Sequence, residues 1–149
     1  MERVKQAFER AALQSQNVLE QVRFLLYELT AFCSDNPFAY KCLLETIPVD
    51  EKSRIENSWV EQIYQVGEAL MKLCVEFMEQ GVAQGVFKEN LQAQPTALIF
   101  QFHIFSVVLV ANNKKEYIEN TMMSKEKFVK YAMEQLMHSI LKDGVEFSL

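Results

Sequence analysis

Residues Gly81–Phe87 read GVAQGVF and mark the point where the architecture turns. The chain holds four glycines in 149 residues, and Gly81 and Gly85 stand here four positions apart. They close the longest helical pattern in the sequence and precede a polar run, KENLQAQP, from Lys88 to Pro95. Glycine at the end of a periodic stretch, with proline a little beyond, is how a helix is stopped. Gly81 and Gly85 are therefore expected to end the long helix and let the chain pass close to neighbouring backbone. Phe87 is expected to tuck the turn against the core.

Upstream, one helix is expected from about Asp50 to Gln80. Ile55, Trp59, Ile63, Val66, Leu70, Leu73 and Phe77 form one stripe, and Val60, Tyr64, Gly67, Met71, Val75, Met78 and Val82 form its neighbour. Two adjacent stripes make a wider apolar face than a surface helix needs, so this helix should cross the middle of the domain with helices on both flanks. Before it, SQNVLEQVRFLLYELTAFCSD (Ser15–Asp35) repeats Val18, Val22, Leu25, Leu29 and Phe32 at helical spacing, opened by Ser15 or Asn17. A weaker stripe of Val4, Phe8 and Ala11 predicts a helix over 2–14, and Phe38 to about Thr46 reads as a short one ended by Pro48.

Downstream, QPTALIFQFHIFSVVLVANN (Gln94–Asn113) is apolar nearly all round, interrupted by Gln101, His103 and Ser106. Its apolar part falls short of the roughly 20 residues that span a bilayer, and those polar residues also speak against a membrane. A lone strand would have no partner, so the run is expected to be a helix, begun at Pro95 and buried on every side. A domain this small can bury such a helix fully only if one side meets a second chain. A polar loop follows. The last helix, Ser124 to about Lys142, has a broad apolar face and is expected to be capped by Ser124 and closed by Gly144. The expected fold is all-α, a single domain over 1–149 with about six helices.

Composition narrows the function. A net charge of −5 with no basic stripe suits no direct contact with nucleic acid. Cys33, Cys42 and Cys74 are odd in number and far apart, which gives neither a disulfide framework nor a metal knuckle. The charged start, MERVKQAFER, lacks a signal-peptide core, and a cytoplasmic home is expected. No histidine follows a glutamate by three positions, so the di-iron ligand motif is missing. His103 and His138 read as a core and a surface histidine rather than a haem pair, and no phosphate-binding glycine loop is present. No catalytic residue, cofactor or metal is expected. Phe24, Tyr27, Trp59, Tyr64, Phe102 and His103 combine large rings with a few polar tips, which suits an apolar ligand cavity and equally suits a core.

The order of these pieces resembles the C-terminal domain of the tetracycline-repressor (TetR) family of bacterial transcriptional regulators. Gly81, Gly85 and Phe87 match the glycine-containing segment that ends the central helix in that family, and an apolar penultimate helix and an amphipathic last helix follow. The resemblance implies a homodimer, in which helices 95–111 and 124–142 pair with their copies as an intersubunit four-helix bundle. It implies an interface carried by Phe128, Val129, Met133, Leu136, Met137 and Ile140. It also implies a small apolar or aromatic effector held between the second, long and penultimate helices by the six residues above. The family's N-terminal helix-turn-helix domain is missing from this chain, so DNA would be reached only through that domain. The first helix starts without a cap, which favours a regulatory half trimmed from a longer protein over a stand-alone relative. The alternative is a helical protein-interaction adaptor with no small-molecule ligand.

Overall fold

The computed structural model describes residues 2–35 and 50–149. The described residues form seven helices: α1 (Glu2–Gln14), α2 (Val18–Asp35), α3 (Glu51–Glu56), α4 (Ser58–Ala83), α5 (Ala93–Asn113), α6 (Lys115–Thr121) and α7 (Lys125–Ile140). Among them the only extended pairing is an isolated antiparallel bridge between Phe87 and Leu141. The fold is all-α, as the helical periodicity predicts. The short helix expected over Phe38–Thr46 lies outside the described residues.

The turn after α4 joins three distant parts of the chain. Gln84 is the last half-helical residue, and Gly85 takes a positive φ of 69°. The Gly85 amide donates to the Val82 carbonyl (2.9 Å), and the Val86 amide reaches back to the Gly81 carbonyl (3.0 Å). This paired closure satisfies carbonyls that a helix end leaves free, and it needs a residue that tolerates the left-handed region. The Gln84 side chain then turns to the start of α2, accepting from the Val18 amide (3.1 Å) and donating to the Gln16 carbonyl (2.7 Å). On the other side, the Lys88 amide donates to the Ile140 carbonyl (3.0 Å) and the Lys142 amide to the Val86 carbonyl (2.9 Å).

Gly81 makes its close approach to a ring rather than to backbone. A Cβ at Gly81 would overlap the Phe87 ring. Phe87 is fully buried, edge-on to Phe77 at 5.8 Å between ring centres, and Phe77 in turn meets Phe100 of α5 at 6.3 Å. Around these rings the core gathers Val22, Leu25 and Leu29 of α2, Leu70 and Met78 of α4, Ile104 and Val108 of α5, and Met133 and Met137 of α7. α5 packs on α2, α4 and α7, and α1 packs on α2 and α4.

Several expectations are corrected. The predicted Asp50–Gln80 helix is two helices, broken at Asn57, whose backbone is extended (φ −136°, ψ 108°). Asp50 caps α3 by accepting from the Ser53 amide (2.7 Å), and Asn57 caps α4 by accepting from the Trp59 amide (3.0 Å). Asparagine followed by serine offers the backbone this alternative to continued helix. The two stripes are buried only in the second half of α4, from Leu70 onward; Ile55 and Trp59 are 79% and 72% exposed. α5 begins at Ala93, before Pro95, and runs 21 residues to Asn113. Its length therefore does reach that of a membrane span, and it is the one described helix long and apolar enough to cross a bilayer. Six of its 21 residues are buried among other helices. The expected polar loop after it contains α6, anchored by the buried Ile118; one apolar residue sets no period that a sequence reading can find. α7 stops at Ile140, because Leu141 becomes extended to pair with Phe87. Gly144 (φ 85°) instead turns the tail, which returns to bury Phe147.

The Gly81–Phe87 contact predicts a sign. Alanine favours a helix over glycine by about 1 kcal/mol, yet overpacking against the buried Phe87 ring costs about 1–3 kcal/mol. Gly81→Ala is expected to lower the stability measured by urea unfolding, and to do so less in a Phe87→Leu background. A stabilised Gly81→Ala protein would show that the ring yields and that the turn is not built on this contact.

Candidate functional site

The hollow with the most apolar wall lies between α2, α5 and α7 and measures about 390 Å³. This is within the range of about 300–1,000 Å³ of small-molecule sites. Its α2 wall is Arg23, Leu26, Tyr27 and Thr30, positions that share one helical face. α5 contributes Val108 and Asn112, and α7 contributes Lys125, Glu126, Val129, Lys130 and Met133. Leu149 closes one edge, brought there by the returning tail. Leu26, Val108, Val129 and Met133 are buried and make an apolar floor, while the charged residues stand around the mouth.

The tail is fastened at that mouth. Arg23 Nε donates to the Ser148 carbonyl (2.9 Å), and its guanidinium lies over the buried Phe147 ring at 5.1 Å. The Leu149 amide donates to Glu134 Oε1 (3.0 Å). Lys125 Nζ donates to Asn112 Oδ1 (3.3 Å), linking α7 to α5. The Glu126 carboxyl is held below its ordinary value, first by its own backbone N–H at the start of α7, then by Lys125, Ser124 and Lys115.

The six residues expected to bind a ligand do not converge. Tyr27 borders this hollow and is 72% exposed. Phe24, one position earlier in α2, is half-buried against the core. Phe102 is 45% exposed on the outer face of α5, and His103 beside it is half-buried. Trp59 stands in solvent on the first turn of α4. Tyr64 lies under the Arg54 guanidinium at 3.6 Å, and Arg54 also reaches Glu61 (2.7 Å), so that Tyr64 belongs to the brace across the α3–α4 break. A smaller hollow between α1, α2 and α4 measures only about 100 Å³ and includes no residue of α5, the penultimate helix of the expected site. There Gln21 is buried with its amide donating to the Ser15 carbonyl (2.6 Å).

The expected interface residues are displaced as well. Val129, Met133, Leu136, Met137 and Ile140 are buried within this chain, and Phe128 is half-buried. The packing of α7 on α5 consumes the broad apolar face from which those residues were chosen. On α5 and α7 the large exposed apolar residues are Leu98, Ile99, Phe102, Val110 and Tyr131. Sequence reasoning passed over Arg23, Thr30, Lys125 and Lys130 because they sit at the polar margins of their helices. Only the spacing of Arg23, Leu26, Tyr27 and Thr30 on one face of α2 was there to be found.

Among the described residues, no three His, Cys, Asp or Glu side chains come together in a metal-binding group. Cys74 is buried in α4, and burial pushes its thiol up to about 12. No protein-family model matches the chain, and no curated protein or solved structure matches it. None of these comparisons supports the expected resemblance to TetR-family C-terminal domains.

A thiol at about 12 is thiolate in only about one part in ten thousand at pH 8. Alkylation of Cys74 by iodoacetamide, followed by peptide mass spectrometry, is expected to proceed no faster than the protein opens. It should accelerate sharply in urea. Fast alkylation of the native protein would mean that the second half of α4 is open to solvent.

Proposed function

We propose that this chain is a self-associating, small-effector-binding regulatory domain, of the kind that TetR-family regulators carry at their C-terminus. One observation supports it most: α5 serves two surfaces at once. Its Val108 and Asn112 wall the 390 Å³ hollow, and another part of its surface presents Leu98, Ile99, Phe102 and Val110 to solvent. Apolar residues recurring along one exposed helix face are what a helix-pairing surface requires. A second copy related by a two-fold axis would lay α5 and the neighbouring α7 against their counterparts. The pairing surface is then the outer face of α5, with Tyr131 of α7, rather than the buried α7 residues.

The mechanism follows from sharing one helix. A ligand between α2, α5 and α7 that favours one position of α5 also favours one arrangement of the paired copies, and by linkage pairing feeds back on ligand affinity. Contact with DNA would belong to a separate helix-turn-helix domain, since the net charge of −5 disfavours phosphate.

Sedimentation equilibrium from about 1 to about 100 μM tests this, since it brackets a micromolar Kd. A dimer is expected. Phe102→Glu should weaken it at least about tenfold, or about 1.4 kcal/mol, with helical circular dichroism unchanged. A wild-type chain that stays monomeric at the highest concentration would overturn the self-association and favour an adaptor that offers the same face to a different protein.

A further inference from the structure

The hollow between α2, α5 and α7 carries information about what it would hold. Its floor is hydrocarbon: Leu26, Val108, Val129 and Met133 are all buried. Its mouth carries more cations than acidic side chains: Arg23, Lys125 and Lys130 line it against the one acidic side chain of Glu126, with Leu149 at its edge. The chain as a whole is acidic, with a net charge of −5, so this local excess is not a sample of the average surface.

The three cations are not equally engaged. Lys125 is turned to Asn112 and lends its charge to Glu126. Glu126 stands one turn before Lys130 on α7 and keeps its negative charge, but its carboxylate is held chiefly by its own helix start and makes no ion pair with Lys130. Lys130 is exposed and has no ion-pair or hydrogen-bond partner among the described residues. Arg23 meets a carbonyl and a ring, partners that position the guanidinium without cancelling its charge, and most of its five N–H donors remain. A phosphate or other compact anion would waste the hydrocarbon floor. An organic cation would meet like charge at the mouth. A neutral hydrocarbon would gain nothing from Lys130.

We propose that this hollow binds a small amphipathic carboxylate, its apolar body on Leu26, Val108, Val129 and Met133 and its head at Lys130 and Arg23. The inference rests on the effector-binding reading above and narrows it to a ligand class. At the ~30 Å³ that a water occupies in the liquid, 390 Å³ is room for about thirteen non-hydrogen atoms. That is a medium-chain fatty acid or a substituted aromatic acid.

Isothermal titration of the whole chain with octanoate, 1-octanol and octyltrimethylammonium tests it, since the three probes share a tail and differ in the head. Octanoate is expected to bind saturably with one site per chain. Octanol should bind at least about tenfold more weakly, and the ammonium not at all. Lys130→Gln, at an exposed position, should weaken octanoate by about threefold to tenfold and leave octanol unchanged. Thr30→Trp, at the half-buried wall, should block octanoate, with thermal unfolding confirming that the variant folds. If octanol binds as tightly as octanoate and Lys130→Gln changes neither, the carboxylate assignment is overturned. The effector-binding reading then survives if Thr30→Trp still blocks octanol. If none of the probes binds, the site fails and takes the effector reading with it, whatever sedimentation shows of pairing.

Discussion

The Phe87 ring occupies the space that a side chain at Gly81 would fill, and much of the architecture follows from that contact. Because the ring can lie against the helix backbone, the chain leaving α4 folds back at once instead of drifting into solvent. The fold-back places Gln84 where it can hold the start of α2, and it places Val86 and Lys88 where they pair with the end of α7. Three segments far apart in sequence are thereby tied at one end of the bundle. The aromatic chain from Phe87 through Phe77 to Phe100 carries the same anchor into α5. Interiors packed at crystal-like density transmit such constraints because there is little slack to absorb them.

α5 has an unusual position in this bundle. It touches α2, α4 and α7, and its composition is apolar on the remaining side too. A helix of that kind is either enclosed or unfinished. Here three sides are covered, and the fourth leaves Phe102 and its neighbours in solvent. The same helix forms part of the wall of the apolar hollow, so ligand and partner would act on one rigid element. Coupling between two such surfaces needs no long pathway. It needs only that the helix have more than one well-packed position.

Much of the helical plan was legible in the residues. The periods of Val18–Asp35 and of Ser124 onward, the caps at Asn17 and Ser124, and the stop at Gly81–Gly85 follow from local chemistry that acts within a few positions. What local reasoning missed has identifiable causes. The break at Asn57 was hidden because apolar periodicity runs straight through it while the capping side chain argues otherwise. α6 was hidden because Ile118 is its single buried anchor. The early end of α7 was hidden because its cause, the bridge to Phe87, lies over fifty positions upstream.

The candidate site divides in the same way. The residues alone established an all-α chain, a glycine turn after the long helix, and a penultimate helix apolar nearly all round. Periodicity and capping are local, and the chain writes them position by position. Which rings converge is not local. Phe24, Tyr27, Trp59, Tyr64, Phe102 and His103 look alike as a set of aromatic and polar-tipped residues, yet packing sends them to the core, the cavity edge, a surface brace and the outer face of α5. Packing likewise assembled Arg23, Lys125 and Lys130 at one mouth from two helices nearly a hundred residues apart. A side chain's neighbours depend on how helices cross and on where the tail returns. That is a property of the whole packed interior and is written at no single position.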